Sequence, residues 1–379
     1  MKEGSKMIKV GVIAEYNPFH NGHLYHLNKV KEMFKDARLI LVLAGNFTQR
    51  GDVSVIDKWN KAKLALDFGF DLVVELPFNV ATSSASIYAE GAIKILDNLD
   101  CDYLVFGSEM NDVDTLKKAA LKTLNNKDYE EKVKKYLETG VNFPKASSLA
   151  LEDIANVLID KPNDVLALEY VRSIIKTNSK IKPISIKRTN DYHEEKINKK
   201  ITSATSIRKN LNSKKLIKNT MPKESLKLIN NISINDYFSY IKYEIMTNDN
   251  LNEVQDVDEG IENKLKKEII YAKTLQDLIT RIKSKRYSYN KIKRMLLHIL
   301  VKTKKDYEKN VKYIRVLGLN NNGKKILKNA KEKTSIPIIT KFKKEYEYLF
   351  KDDIKAALTY SLITNYNVLE EYRSPIVKD

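Results

Sequence analysis

The chain has five histidines in 379 residues, and three of them, His20, His23 and His26, fall within seven positions. They sit in the stretch Glu15-Tyr16-Asn17-Pro18-Phe19-His20-Asn21-Gly22-His23, directly after the apolar run Val10 to Ala14 and directly before a helical pattern from Leu24. Asn17-Pro18 breaks a strand, Gly22 lets backbone come close to a ligand, and a helix opening at His23 turns its unpaired amides and positive dipole end toward the loop. Two imidazoles three residues apart at such a turn can donate hydrogen bonds to charge that builds on a phosphoryl group. Loop and cap duty is the commoner fate of two histidines taken at random; their concentration at one strand-to-helix junction weighs against it here.

Three further groups suit the same chemistry. Ile201-Thr202-Ser203-Ala204-Thr205-Ser206-Ile207-Arg208 places hydroxyls at a helix start, with a guanidinium one turn later. Alone, such hydroxyls read first as caps. Gly45-Asn46-Phe47-Thr48-Gln49-Arg50-Gly51-Asp52 sets Gln49 and Arg50 between glycines, and Arg offers a planar donor fork for a carboxylate or phosphate; a solvated surface loop is an equal reading. Glu75 lies inside an apolar run, where an unpaired carboxylate is costly, so it needs a cation such as Lys58 or Arg50.

The elements that must position these residues alternate. Lys9 to Ala14, Leu39 to Ala44, Asp71 to Leu76 and Tyr103 to Phe106 are short, apolar and rich in β-branched residues, and amphipathic stretches separate them. Such runs predict a doubly wound parallel sheet of Rossmann-like α/β class, with ligands at the carboxyl ends of the strands. The turns there are Glu15 to Pro18, Gly45-Asn46, Pro77 to Asn79 and Gly107-Ser108-Glu109. Pro144 marks a joint between two helices. Pro162 and Asn163 open another helix, with Asn163 as its cap, and a fifth strand, Ile184 to Lys187, ends in Arg188 ahead of Asp191-Tyr192-His193.

Size and 42% hydrophobic content fit two domains with a substantial core. The single cysteine, Cys101, excludes an intramolecular disulfide framework and a cysteine-based zinc cluster. With no apolar stretch near the roughly 18 residues of a membrane span and no signal peptide, the expected location is the cytoplasm, with no membrane partner. The net charge of +18 is uneven: residues 1–110 carry 12 Lys+Arg against 14 Asp+Glu, which leaves +20 on residues 111–379. A near-neutral front and a basic remainder suit a small-molecule site joined to a polyanion-binding surface. From about Lys214 the pattern turns helical and basic, with aromatics interleaved at Arg281 to Tyr289 and Lys302 to Tyr313, as RNA-binding surfaces are. The expected domains are 1–213, holding the crevice, and 214–379, mainly α-helical.

The loop matches the H-x-G-H signature of the nucleotidylyltransferase superfamily, and Ser203-Ala204-Thr205-Ser206-Ile207-Arg208 resembles its second signature, S-x-T-x-x-R. The strings Ala14 to His23, Gly45 to Gly51, Asp57-Lys58-Trp59, Phe106 to Glu109 and Ser203 to Arg208 together resemble the bacterial tRNA(Met) cytidine acetate ligase family. The likeness continues at Arg315 to Asn320, Ile336 to Thr340 and Asp353 to Ala357. Lys61 stands where the family tends to have Arg, and Ser83 where it tends to have Gln.

The resemblance implies a two-step ligase: acetate and ATP give acetyl-adenylate, then the acetyl group passes to N4 of the wobble cytidine of elongator tRNA(Met). It implies His20 and His23 as catalytic residues and ATP contacts at Ile13, Ala14, Glu15, Tyr16, Asn17, Pro18, Phe19, His20, Asn21, Gly22, His23, Leu24, Tyr25, His26, Gly107, Asn163 and Arg188, with phosphate contacts at Ser203, Thr205 and Arg208. Mg2+ is expected to accompany ATP, held by phosphate oxygens and water with no protein cage; no protein partner is implied. The alternatives are a nucleotidylyltransferase for a free metabolite and a non-catalytic, nucleotide-responsive RNA-binding protein. The basic second half argues against the first, and intact His20, His23, Thr205 and Arg208 against the second.

Overall fold

The structure is a computed structural model that describes residues 7–188, 201–305 and 309–379; Asp191, Tyr192 and His193 lie outside them. Strands β1 (Lys9–Ala14), β2 (Arg38–Ala44), β3 (Leu72–Leu76), β4 (Tyr103–Ser108) and β5 (Lys182–Lys187) run parallel in the order β5-β4-β1-β2-β3. Helices cover both faces. Ile40, Val42 and Ala44 enter one core and Leu39, Leu41 and Leu43 the other, which is why these strands read as unbroken apolar runs. The order of connection reverses between β1 and β4, so a crevice opens there at the carboxyl ends. Helix α1 (Asn21–Met33) leaves β1 at this point, and α2 (Lys58–Asp67) follows β2. Asp57 caps α2, accepting from the Trp59 and Asn60 amides at 3.0 Å each.

The sheet does not stop where the expected first domain ends. Strand β6 (Ile314–Asn320) pairs antiparallel with β3, and β7 (Ile338–Ile339) and β8 (Ile376–Lys378) pair parallel with β6. Left bare, β3 would present an open row of amides and carbonyls; β6 satisfies them. Residues 214–301 are helical, and their core takes in Phe47, Val53 and Phe78 from the first half. The boundary expected at residue 213 is therefore crossed twice, by the sheet and by an apolar core.

The register sets Glu75 opposite Arg315. Lys58 Nζ lies 2.8 Å from Glu75 Oε1 and 2.6 Å from Glu371 Oε2, and Arg315 Nη1 lies 3.2 and 2.7 Å from the same two carboxylates. All four side chains are buried. Burial pushes the Glu371 carboxyl up, but Lys58 and Arg315 outweigh it and hold it down at about 2. Lys58 is thus the partner that Glu75 required; Glu371 and Arg315 complete a balanced quartet that ties the end of the chain to β3.

Candidate active site

The crevice floor is the loop between β1 and α1. Tyr16 has a positive φ of 47°, and the Asn17–Pro18 peptide is cis. The Asn17 side chain pins the loop to the next one: its Nδ2 donates to the Val53 carbonyl at 3.0 Å and its Oδ1 accepts from the Val55 amide at 2.9 Å. Lys61, reaching up from α2, donates to the carbonyls of Ala44 (2.8 Å), Gly45 (2.7 Å) and Glu15 (2.9 Å). One buried ammonium therefore caps the carboxyl ends of both β1 and β2. Burial pulls its pKa down to about 7, against Glu15, Asp57 and Glu75. The Lys61 departure from the family pattern lies under the crevice, and Ser83 lies beside it, its carbonyl accepting from Gln49 Nε2 at 3.0 Å.

Helix α1 begins at Asn21, two residues before the opening expected at His23, and its first amides are already engaged. Asn21 N donates to the Thr220 carbonyl (2.9 Å), Gly22 N to His20 Nδ1 (3.0 Å) and His23 N to the His20 carbonyl (2.9 Å). The expectation of unpaired amides facing a phosphate is corrected: His20, as N-cap, takes the Gly22 and His23 amides, and Thr220 takes that of Asn21. The helix still presents its positive end. Because Nδ1 of His20 accepts, its proton sits on Nε2, which makes His20 a donor at the opposite ring edge. The His23 ring stacks on it, centroids 3.8 Å apart, with its Nδ1 accepting from the His20 amide at 3.3 Å.

Burial, and then Arg188 and Arg208, pull His20 down to about 3. Burial and the neighbouring His20 and Arg188 drive His23 well below its ordinary value, and burial with Arg188 takes His26 to about 4. These are neutral imidazoles, suited to donate a hydrogen bond and not to act as acids. His26 Nε2 is buried with no hydrogen-bond partner among the described residues.

Ile13 and Ala14 close β1, Glu15 to Phe19 form the loop, and Leu24, Tyr25 and His26 continue α1. The β4 side completes the crevice. Arg188 stands just past β5, its side chain lying against Gly107, where a Cβ would come 3.4 Å from Arg188 Cγ. Asn163 is not a cap: the helix Pro162–Lys176 starts one residue before it, and Asn163 Nδ2 donates to Glu109 Oε1 at 2.5 Å. Asp164 Oδ1 in turn accepts from Ser108 Oγ (2.5 Å) and the Glu109 amide (2.9 Å). From the far side, Arg208 Nη1 donates to the Asn17 carbonyl at 2.7 Å, and its Nη2 lies 3.4 Å from Thr205 Oγ1 and 3.8 Å from Asp52. Ser203 spends its hydroxyl capping the helix Ala204–Lys209. The structure thus brings His20, His23, Arg188, Thr205 and Arg208 to one crevice and leaves Ser203 as support.

The basic second half departs from its sequence reading in detail. Tyr287 and Tyr313 are buried, with Tyr287 Oη donating to the Asp258 carbonyl at 2.6 Å; Tyr307 lies outside the described residues. Tyr289 is exposed, in line with that reading, and the other exposed tyrosine rings of this half are Tyr240, Tyr243, Tyr271, Tyr348 and Tyr372. Lys293 is buried against Asp52 of the Gly45–Asp52 loop, and Arg281 is paired with Asp277 and Glu268. No helix among the described residues is long and apolar enough to cross a membrane, and no three His, Cys, Asp or Glu side chains gather there into a metal-holding group.

A parallel sheet whose switch point carries stacked neutral imidazoles and converging guanidiniums defines a nucleotidyl-transferring enzyme, and a family model for HIGH nucleotidyl transferases matches residues 7–374. Curated relatives named tRNA(Met) cytidine acetate ligase are 40% identical in Caldicellulosiruptor saccharolyticus, covering 98% of both chains, and 41% identical in Clostridium perfringens, covering 93% of this chain and 94% of that one. The crystal structure of Thermotoga maritima TmcAL superposes with a TM-score of 0.89 at 28% identity, covering 98% of this chain and 99% of that one; the form bound with alpha-thio ATP gives 0.87. The chain belongs to the tRNA(Met) cytidine acetate ligase family of HIGH nucleotidyl transferases.

Proposed function

We propose that this chain is an ATP-dependent ligase that activates acetate as acetyl-adenylate and transfers the acetyl group to N4 of the wobble cytidine of elongator tRNA(Met). The observation that carries the reading is the convergence of Arg188 on all three imidazoles at the start of α1, with Arg208 closing the far side. The ends of β1 and β5 and two helix starts therefore enclose one anionic ligand. A nucleotide spanning β4 to α1 fits, with Gly107 and Asn163 beside the nucleoside and His20 Nε2, Arg188 and Arg208 at the phosphates. Mg2+ would be held by ATP phosphate oxygens and water and not by a protein cage, and would supply charge neutralisation at the pyrophosphate.

The second step needs a single-stranded base. Tyr240, Tyr243 and Tyr271 are exposed rings on a basic helical region, the combination that stacks unpaired bases and holds their phosphates. Residues 214–379 accordingly hold the RNA, while part of that region also completes the crevice. The test is ATP–pyrophosphate exchange with purified protein, with and without acetate and tRNA, followed by mass spectrometry of nucleosides from the tRNA product. Exchange that ignores acetate, or product tRNA without N4-acetylcytidine, would overturn the assignment.

A further inference from the structure

The turn at Gln49-Arg50 is held more firmly than a surface loop has any need to be. Gly51 N donates to the Thr48 carbonyl at 2.9 Å, closing the turn with Gln49 and Arg50 at its tip. Gln49 N donates to Glu15 Oε1 at 2.7 Å, so the tip is tied to the first residue of the β1–α1 loop. From the other side, helix Tyr289–Val301 presses on it: a Cβ on Gly51 would come 2.7 Å from the Arg294 backbone nitrogen, and Lys293 grips Asp52. Arg50 itself is half-buried, in electrostatic reach of Glu15, Asp52, Arg208 and Arg188.

The topology gives this turn a direction. Strand β2 lies on the side of β1 opposite β4, so a nucleotide entering from β4 and β5 presents its phosphates to α1 with the β2 turn beyond them. Displacement at phosphorus requires the nucleophile in line with, and opposite, the leaving group. Arg188 and Arg208 already flank the imidazoles. A carboxylate approaching an anionic phosphate is repelled, and a guanidinium at the point of approach cancels that repulsion while fixing both carboxylate oxygens.

Resting on the ligase reading above, we propose that Arg50 is the acetate receptor: it binds the carboxylate and aims one oxygen at the α-phosphorus. In that step a carboxylate oxygen forms a bond to the α-phosphorus, the bond from that phosphorus to the bridging oxygen breaks, and pyrophosphate departs with the electron pair. No proton need move.

The experiment is acetate-dependent ATP–pyrophosphate exchange with R50A and R50K, alongside calorimetric ATP binding and thermal melting. Wild-type exchange that requires acetate establishes the underlying reading independently. Arg50→Ala is then expected to raise the acetate KM or lower kcat/KM for acetate by roughly two orders of magnitude, the scale of one lost charge-assisted donor, while ATP affinity changes by less than about threefold and melting is unaltered. R50K should restore part of the loss, because it returns the charge without the fork. Equal loss of ATP affinity would make Arg50 a phosphate group, and normal exchange with loss only of transfer to tRNA would make it an RNA contact; either result overturns the proposal.

Discussion

The two walls of the crevice are built differently. The β4 wall is assembled from residues 103–188, which lock one another: Asp164 holds Ser108 and the Glu109 amide, and Glu109 holds Asn163. The β2 wall is assembled from partners more than two hundred residues away: Lys293 on Asp52, Arg294 Nη1 at 3.5 Å from the Gln49 carbonyl, and Arg315 and Glu371 around Lys58 and Glu75 beneath it. The β4 wall is self-contained, and the β2 wall depends on the second half of the chain. On the assignment proposed above, adenylation draws on residues beyond 213, and a truncated first half should bind ATP better than it activates acetate.

The largest effect should come from breaking the charge quartet under the β2 wall. Lys58→Met leaves two buried carboxylates with one guanidinium, and removing one partner of a buried pair costs roughly 3–5 kcal/mol. Denaturant unfolding should record that loss. An equal loss for Glu109→Gln on the β4 wall, where the carboxylate is part-exposed, would erase the distinction between the walls.

Next come the residues both walls share. His20→Ala or His23→Ala should lower adenylate formation by roughly two orders of magnitude while tRNA binding survives, since the first removes a preorganised donor and the second the ring that stacks on it and positions it. Normal exchange in either variant would remove the imidazoles from the chemistry.

How much of this was legible follows from where the partners lie. Strands β1 to β4 show in the sequence because burial on both faces leaves continuous apolar runs, whereas β5 is a half-exposed edge strand, and Glu75 announces its need for a cation, Lys58 or Arg50, because a carboxylate in such a run cannot stand alone. The role of β6 in the same sheet was invisible, because pairing register is not written in either strand alone. Lys293 is one basic residue among many in the second half of the sequence; only its proximity to Asp52, 241 residues away, shows it to be a clamp. Tyr287 and Tyr313 looked like stacking rings, but aromatic spacing does not say which face of a helix or strand is covered. His20 as N-cap was the bland reading and is what the structure shows; it does not compete with the proposed catalytic role, since capping occupies Nδ1 and leaves Nε2 for the ligand.

Smaller and more selective effects separate the walls at their glycines. Gly51 has φ +73° and backbone of helix Tyr289–Val301 against it, so Gly51→Ala strains the turn and should cost about 1–3 kcal/mol while weakening acetate use more than ATP binding. At Gly107 an added Cβ meets only the flexible Arg188 side chain at 3.4 Å, so Gly107→Ala should leave stability within about 0.5 kcal/mol and shift ATP affinity a few-fold. Melting curves with paired ATP and acetate titrations decide it. The reverse pattern would mean that the β2 turn is free to move and the β4 wall is the strained one.

The smallest expected effect is an absence of pH dependence where histidine catalysis usually shows one. Burial and two guanidiniums disfavour the imidazolium of His20 and place its pKa at about 3. The neutral ring, the form that donates from Nε2, therefore persists at every pH above that value, and protonation sets in only as pH falls toward it. Since kcat/KM reports the free enzyme and free substrate, its profile for ATP in the exchange reaction should show no inflection near the ordinary histidine value of about 6.5 that His20→Gln removes, any limb there belonging to the ATP phosphate or to Lys61. Bound triphosphate opposes the guanidiniums and favours the charged ring, so kcat alone can acquire an acid limb at higher pH than the free enzyme shows. A limb in kcat/KM near 6.5 that vanishes in His20→Gln would mean that the crevice is wetter than its geometry indicates and that His20 changes charge before the nucleotide arrives.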